Sequence, residues 1–319
     1  MHEFELINKY FSKLSINNKG SLKLNDDVFF DKSKKLVISI DTYIEGIHFI
    51  NFQNPDLVLK KIIRSSISDL VCKGVRPKYY FISGSGNKKS FNKKNLEMIS
   101  KALHHEQKKY SIYLCGGDTT FSKKLSFTIT SVGFSDKIIF RNKAKLNDDI
   151  YVTGNLGDSF IGLKVLQKKI NLNQNLKKYF RNRYFHPNLH ISITKKLLSI
   201  ANTSIDISDG LVADLEKLIN NQKLSYKLYL NKIPISKNLN KLIDLKIIQK
   251  IKSVTHGDDY QILFTALPSK SRIISKISKS LGIRISKIGK ICTHNQKSQI
   301  INEKNKKIAL KNKGYFHRF

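Results

Sequence analysis

The sequence predicts a mixed α/β chain in two domains, and three observations carry that prediction. A length of 319 residues is long for a single hydrophobic core. Short β-rich apolar runs alternate with segments of helical period. Between Asp136 and Asp149 the chain turns polar and charged before a new apolar run begins, which divides it at 1–140 and 141–319.

The elements follow in order. Phe4, Ile7, Tyr10, Phe11 and Leu14 recur at helical spacing, so the chain opens with an amphipathic helix. Leu36 to Ile40 is a β-rich run that ends at Asp41, which sets that acid at a strand terminus. Asn54-Pro55-Asp56 starts a helix, with Asn54 as cap and Pro55 in the first position, and the pattern continues to a stop at Gly74. Asp69 then falls near the C-terminal end of that helix, where the dipole disfavours an acid. Tyr79 to Ser83 reads as a strand, Leu96 to Tyr110 as a helix, and Ile112 to Leu114 as a strand running into Cys115-Gly116-Gly117-Asp118-Thr119-Thr120. Leu125 to Phe134 alternates as a further strand.

The second half restarts with a strand at Ile150 to Thr153, a turn at Gly154 to Ser159 and a helix through Ile161, Leu163, Val165 and Leu166. Ile191 to Ile200 reads as a helix and Ser204 to Ile207 as a short strand. Ser208-Asp209-Gly210 leads into a helix through Leu211, Leu215, Leu218 and Ile219, and Asp258-Asp259-Tyr260 precedes a strand at Ile262 to Thr265.

Composition narrows the function classes. The 58 Lys and Arg against 24 Asp and Glu give a formal +34, a balance that ordinarily points to polyanions. Here the basic residues are dispersed beside Asn and Ile, as from Lys304 to Lys313, without the interleaved aromatics of a nucleic-acid groove. Nucleic acid is therefore not the expected partner. Cys72, Cys115 and Cys292 are too far apart for a zinc pattern or a disulfide framework, which fits a reducing compartment. No segment reaches the ~18 apolar residues of a membrane span, and Met1 to Leu14 lacks the apolar centre of a leader. The expected place is the cytoplasm, with no membrane partner.

Because acids are scarce, their positions are informative. Asp26, Asp27, Asp41, Asp69, Asp118, Asp206, Asp209, Asp258 and Asp259 all lie in short segments with Gly, Ser or Thr nearby. Carboxylates with hydroxyls are the hard-oxygen ligands that magnesium takes while keeping its waters and bridging phosphates. Each Asp alone is equally a turn former or a helix cap, and Ser208-Asp209-Gly210 is a natural cap. Asp206, Ser208 and Asp209 put the first and last on different faces unless the turn redirects one of them. Gly116-Gly117-Asp118-Thr119-Thr120 adds glycines that let backbone approach a phosphate. Gly154 to Gly162 is a glycine-rich turn without the Gly-Lys-Ser/Thr ending of a Walker A loop. Hydrolase, zincin and protein-kinase signatures are missing. His48 reads, by itself, as a histidine at the edge of the core.

The ordered series Asn25-Asp26-Asp27, Ser39-Ile40-Asp41, Glu45 to Phe49, Ser68-Asp69-Leu70, Gly116 to Thr120, Val152 to Ser159, Asp206 to Leu211 and Gly257 to Tyr260 closely resembles the thiamine-monophosphate kinase family, over about residues 3 to 315. The resemblance implies the two-domain aminoimidazole ribonucleotide synthetase-like fold. It implies an N-terminal domain that binds metal and ATP and pairs in a homodimer, and a C-terminal domain that closes over nucleotide and substrate. The activity it implies is ATP-dependent, magnesium-dependent phosphorylation of thiamine monophosphate to thiamine diphosphate, the last step of that biosynthesis. Asp27, Ser39, Asp41, Asp69, Asp118, Asp206 and Asp209 fall on the family's positions for several magnesium ions. Gly117, Asp118, Arg141 and Ser208 fall on its ATP positions, and His48 and Asp258 on its thiamine monophosphate positions. Asp118 and Asp209 are the expected catalytic acids. The chain departs from the pattern where Asn25 replaces Gly, Ile40 replaces Thr, Asp258 replaces Glu, and Asn312 stands for an aromatic that Tyr315 could supply. Two rival readings remain: a relative with another acceptor, such as an aminoimidazole ribonucleotide precursor or selenide, and a basic nucleic-acid binder. No N-terminal Cys suited to selenide is present.

Overall fold

A computed structural model describes residues 3–310 and 312–315. The first half builds one sheet from β1 (Phe29–Asp31), β2 (Leu36–Ile44), β3 (Pro77–Gly86), β4 (Tyr113–Phe121) and β5 (Ser126–Phe134), in the order β1-β2-β5-β3-β4. Its pairs are antiparallel except β3 with β4, which run parallel because a helix crosses between them. The second half builds another from β6 (Asp149–Thr153), β7 (Thr203–Asp206), β8 (Leu224–Tyr229), β9 (Ile262–Ala266), β10 (Ile285–Thr293) and β11 (Gln299–Ile301), in the order β11-β8-β10-β6-β9-β7.

The chain opens with α1 (Glu3–Leu6), which passes at once into a π turn and tighter turns up to Leu24. The expected amphipathic helix is thus broken, and Tyr10, Phe11 and Leu14 stay exposed. So short a helix needs a packed apolar face to persist. The side chain of Phe4 and all of Met1 lie outside the described residues.

The helix α2 (Pro55–Cys72) starts and stops where expected, with Pro55 in the first turn and Gly74 in the left-handed region at φ +79° just beyond it. Asn54 precedes it, although its side chain makes no capping hydrogen bond. Val58, Leu59, Ile62, Ile63, Ile67 and Leu70 are almost wholly buried, each stabilising by about 1.5–3 kcal/mol. This helix covers β2 and β5 together with α3 (Lys93–Tyr110), and also touches β7 and β9 of the second sheet. Polar Lys61, Ser65, Asp69 and Lys73 recur every fourth residue along it and are buried or half-buried.

In the second half α4 (Asp158–Leu166) packs on α5 (Gln174–Phe185). The remaining helices are α6 (Thr194–Ile200), α7 (Leu211–Leu218), α8 (Lys237–Asp244), α9 (Lys250–Val254) and α10 (Ser271–Leu281). Tyr184 and Phe185 of α5 join the core beneath the first sheet, so apolar packing is continuous between the halves. Among the described residues no helix is long and apolar enough to cross a membrane.

Two expectations are corrected here. Asp41 is not at a strand end but inside β2, because β2 runs on to Ile44 in full register with β5. Likewise Gly116 to Thr120 does not lie past the end of the strand expected at Ile112 to Leu114: it is within β4, parallel to β3, with a register shift between Tyr80 and Ile82.

Candidate active site

Asp41 from β2, Asp69 from the last turn of α2 and Asp206 from the end of β7 come together between the two sheets. Burial, joined at Asp69 and Asp206 by repulsion from neighbouring acids, holds all three carboxyls in the neutral form more strongly than in water. Asp41 and Asp206 are pushed up to about 7, chiefly by burial, and Asp69 is raised by burial and by the charges of Asp41 and Asp206. Ser68 Oγ donates a hydrogen bond to Asp206, whereas the buried Oδ2 of Asp41 has no hydrogen-bond partner among the described residues. Ser39, one turn of pleat before Asp41, is buried and donates to the Ser66 carbonyl at 3.4 Å. No three Asp, Glu, His or Cys side chains among the described residues form a ready-made metal cage.

Asp26 and Asp27 stand differently. Lys73, whose side chain is 0% exposed, places Nζ 2.7 Å from Asp26 Oδ1 and 2.7 Å from Asp27 Oδ2. Arg141 donates its backbone N–H to Asp26 Oδ2 at 2.9 Å and its Nε to Asp27 Oδ2 at 3.1 Å, and its Nη2 pairs with Asp27 Oδ1. Arg141 also feels Asp206, Asp209 and Asp214, which places its guanidinium among the acids.

Past Asp206 the backbone turns, so Ser208 and Asp209 do not continue the strand's alternation. Asp214 caps this turn from within α7, accepting from the N–H groups of Asp209 and Gly210 at 3.0 Å each. Lys217, one turn further on, pairs with Asp209 and lies 3.2 Å from Asp214. The loop Gly257 to Tyr260 is pressed against this turn: Asp258 N–H donates to the Ser208 carbonyl at 2.8 Å. A Cβ on Gly257 would meet that carbonyl oxygen at 1.7 Å, so only glycine fits. The C-terminal segment closes the other side, with Tyr315 N–H donating to the Asp209 carbonyl at 3.0 Å. Asn312 spends its side-chain oxygen on Gly314 N–H at 3.2 Å.

Asp258 adopts a left-handed φ of +67° and Tyr260 one of +50°, strain of the kind found at functional loops. Lys61 Nζ lies 2.8 Å from Asp258 Oδ2, and Tyr260 OH donates to Asp258 Oδ1 at 3.0 Å. The same ammonium sits 3.5 Å above the Tyr184 ring. Tyr184 OH in turn donates to the His48 carbonyl at 3.4 Å, and His48 Nδ1 accepts from Ile44 N–H at 3.0 Å. Thus His48 and Asp258, 210 positions apart in sequence, meet through Tyr184 and Lys61. Beside Asp258 opens a pocket lined by Gly154, Asn155, Ser159, Arg183, His186 and Gln261. Asp259 fixes its floor by accepting from Gly157 N–H at 3.0 and 2.9 Å.

Gly117 and Asp118 are not brought to this centre within one chain. Asp41 aligns across β5 and β3 with Gly117, three strand spacings away, roughly 14 Å. Asp118 aligns instead with Ser83, Thr128 and, on β2, Thr42, so alternation sets it on the opposite face from Asp41. All of β4 is exposed, and Ile40, Phe81, Tyr113, Leu114, Phe121 and Phe134 are exposed apolar residues of the same sheet.

Lys61, Lys73, Tyr184, Asp214 and Lys217 were not singled out in the sequence. The signal for the first two was there: Lys61, Ser65, Asp69 and Lys73 recur every fourth residue, which puts both lysines in line with Asp69.

Residues 24–135 match the model of the AIR synthase related protein, N-terminal domain, family. The thiamine-monophosphate kinase of Buchnera aphidicola (subsp. Acyrthosiphon pisum) is 34% identical over 99% of this chain and 98% of its own length. That of Escherichia coli is 28% identical over 99% and 98%. Among solved structures, AaThiL complexed with AMPPCP and TMP superposes with a TM-score of 0.85 at 25% identity, covering 99% of this chain and 97% of that one. The two-sheet α/β architecture is accordingly the aminoimidazole ribonucleotide synthetase-like fold. On its sequence, its fold and the acids that fold gathers, this chain belongs to the thiamine-monophosphate kinase family.

Proposed function

We propose that the chain uses ATP and magnesium to phosphorylate thiamine monophosphate to thiamine diphosphate, the last step of thiamine diphosphate biosynthesis. The observation that carries this reading is the trio Asp41, Asp69 and Asp206, one carboxylate from each sheet and one from α2 between them, with no cation in hydrogen-bonding contact among the described residues. They sit beside the turn that bears Ser208 and Asp209. The identity to the Buchnera kinase and the likeness to a protein complexed with AMPPCP and TMP support it.

The donor set fits magnesium. It is all oxygen, and it holds a buried carboxylate oxygen without a partner among the described residues. We assign Ser39, Asp41, Asp69, Asp206 and Asp209 to the metal within one chain, and Ser208 and Arg141 to ATP. His48 and Asp258 go to thiamine monophosphate, with the pocket beside Asp258 for its rings and Tyr315 at the rim. Bound magnesium would neutralise two polyanions and the charge that develops between them.

A phosphomonoester's second pKa is about 6, so the acceptor oxygen is already anionic near neutral pH and needs no base from the protein. That oxygen forms a bond to the γ-phosphorus as the bond to the ADP oxygen breaks, in line and without a covalent intermediate. The side chains therefore position and neutralise. Lys61 orients Asp258 through their ion pair, and Lys217 and the Asp214 cap hold Asp209 in place.

Asp118 serves the same chemistry from a partner. The exposed β4 edge and the apolar residues around it suit pairing with a second copy, and a C2 dimer would present Gly117 and Asp118 to the partner's acids. The two sheets are then the cores of two domains, 1–140 and 141–319, the second closing over nucleotide and substrate. The cytoplasm, where ATP is supplied, is the place we assign.

The test is thiamine diphosphate formation by the purified protein from thiamine monophosphate, ATP and magnesium. Product is expected from the monophosphate, and none from free thiamine or without metal. A folded protein that binds ATP but forms no product sinks the assignment of the acceptor.

A further inference from the structure

Asp26 and Asp27 are the most fully neutralised acids of the centre. Each of their four carboxylate oxygens is engaged: Asp26 Oδ1 by Lys73 Nζ and by Asp27 N–H at 2.8 Å, Asp26 Oδ2 by Arg141 N–H, Asp27 Oδ2 by Lys73 and Arg141 Nε, and Asp27 Oδ1 by Arg141 Nη2. Two negative charges meet two positive ones. Among the described residues, Asp41, Asp69 and Asp206 nearby meet none at that distance.

Lys73 is built into this position. It follows α2 directly, where a cation complements the helix dipole. Its third N–H donates to the Ser204 carbonyl of β7 at 2.9 Å, so an ammonium with three donors has three oxygen acceptors. The side chain is 0% exposed, which leaves it no route by which to swing into water when another cation arrives. Displacing it would strand a buried charge, the costly case for any ion pair. Its contacts of 2.7–2.9 Å are those of an ammonium, longer than the ~2.1 Å that magnesium demands.

We infer that the Lys73 ammonium is a resident cation that takes the place of a divalent ion between Asp26 and Asp27. The inference rests on the magnesium reading above and departs from the family resemblance at one position: Asp27 anchors Lys73 and Arg141 and does not ligate metal. The same contact ties the 26–27 loop and α2 to the second sheet through Ser204.

The experiment is manganese titration of the metal-stripped full-length protein, with free Mn2+ read by electron paramagnetic resonance and folding checked by circular dichroism. Wild type binds Mn2+, and Asp69→Asn loses an ion. Asp27→Asn keeps the wild-type stoichiometry with an unchanged affinity, and Lys73→Met binds one ion more. If Lys73→Met does not fold alone, Mn2+ restores its folding at the vacated position. Loss of an ion in folded Asp27→Asn overturns the inference while leaving the magnesium reading intact. Wild-type protein that binds no Mn2+ overturns both.

Discussion

Magnesium should stabilise this protein far more at pH 8 than at pH 5. Asp41 and Asp206 titrate at about 7 in the fold, against 3.8 for an ordinary Asp, because burial penalises their charge. Folded protein therefore holds protons that the unfolded chain has released. Stability contributed by these groups is present below pH 4 and is lost as pH rises through 7. Between pH 5 and 7 each carboxyl traverses two pH units at about 1.4 kcal/mol per unit, a loss of about 3 kcal/mol apiece. Coupling between the two and the partial exposure of Asp41 reduce the sum to on the order of 3–4 kcal/mol. Magnesium at a hundred times its Kd returns about 2.7 kcal/mol, and only where the acids are ionised. At roughly 2–4 °C per kcal/mol for a chain of this size, the ion should raise Tm by about 5–10 °C at pH 8 and by little at pH 5. The assay is thermal unfolding of metal-free protein with and without magnesium across that range. Taking the difference cancels His186, which burial lowers to about 4 and whose contribution runs the opposite way. A magnesium shift of equal size at both pH values would refute the reasoning, and Asp206→Asn should flatten the profile.

Three more outcomes follow from particular contacts. Asp118→Ala and Asp209→Ala should each lose turnover by orders of magnitude with the fold intact, and mixing the two inactive proteins should restore about a quarter of wild-type activity if each site draws on both chains of a C2 dimer; no recovery after subunit exchange would place Asp118 within its own chain's site. The buried Arg64 and Glu106 pair at 2.7 Å, strong enough to outweigh the burial that opposes both charges, so Glu106→Ala should cost about 3–5 kcal/mol in denaturant unfolding. Gly257→Ala should raise the KM for thiamine monophosphate and cut kcat, because its Cβ would push Asp258 off the Ser208 carbonyl; kinetics like wild type would mean that loop is not part of the site.

The acidic series, its order and the presence of most strand and helix runs around it were legible in the sequence, though not where β2 and β4 end, because local periodicity and turn chemistry act between near neighbours. The Asn54 to Gly74 helix, the Asp206 to Leu218 strand, turn and helix, and the family membership came from residues read along the chain. Tertiary structure alone decided where those acids point. Asp41 lies in mid-strand because cross-strand pairing with β5 extends β2 beyond its apolar run. Asp118 lies on the opposite face from Asp41 because strand order and register, set by pairings dozens of residues apart, assign faces that no local pattern records. Lys73 is one basic residue among 58 in sequence. It becomes a cation between two carboxylates only when α2 is laid against β7 and the 26–27 loop, where burial makes its charge count.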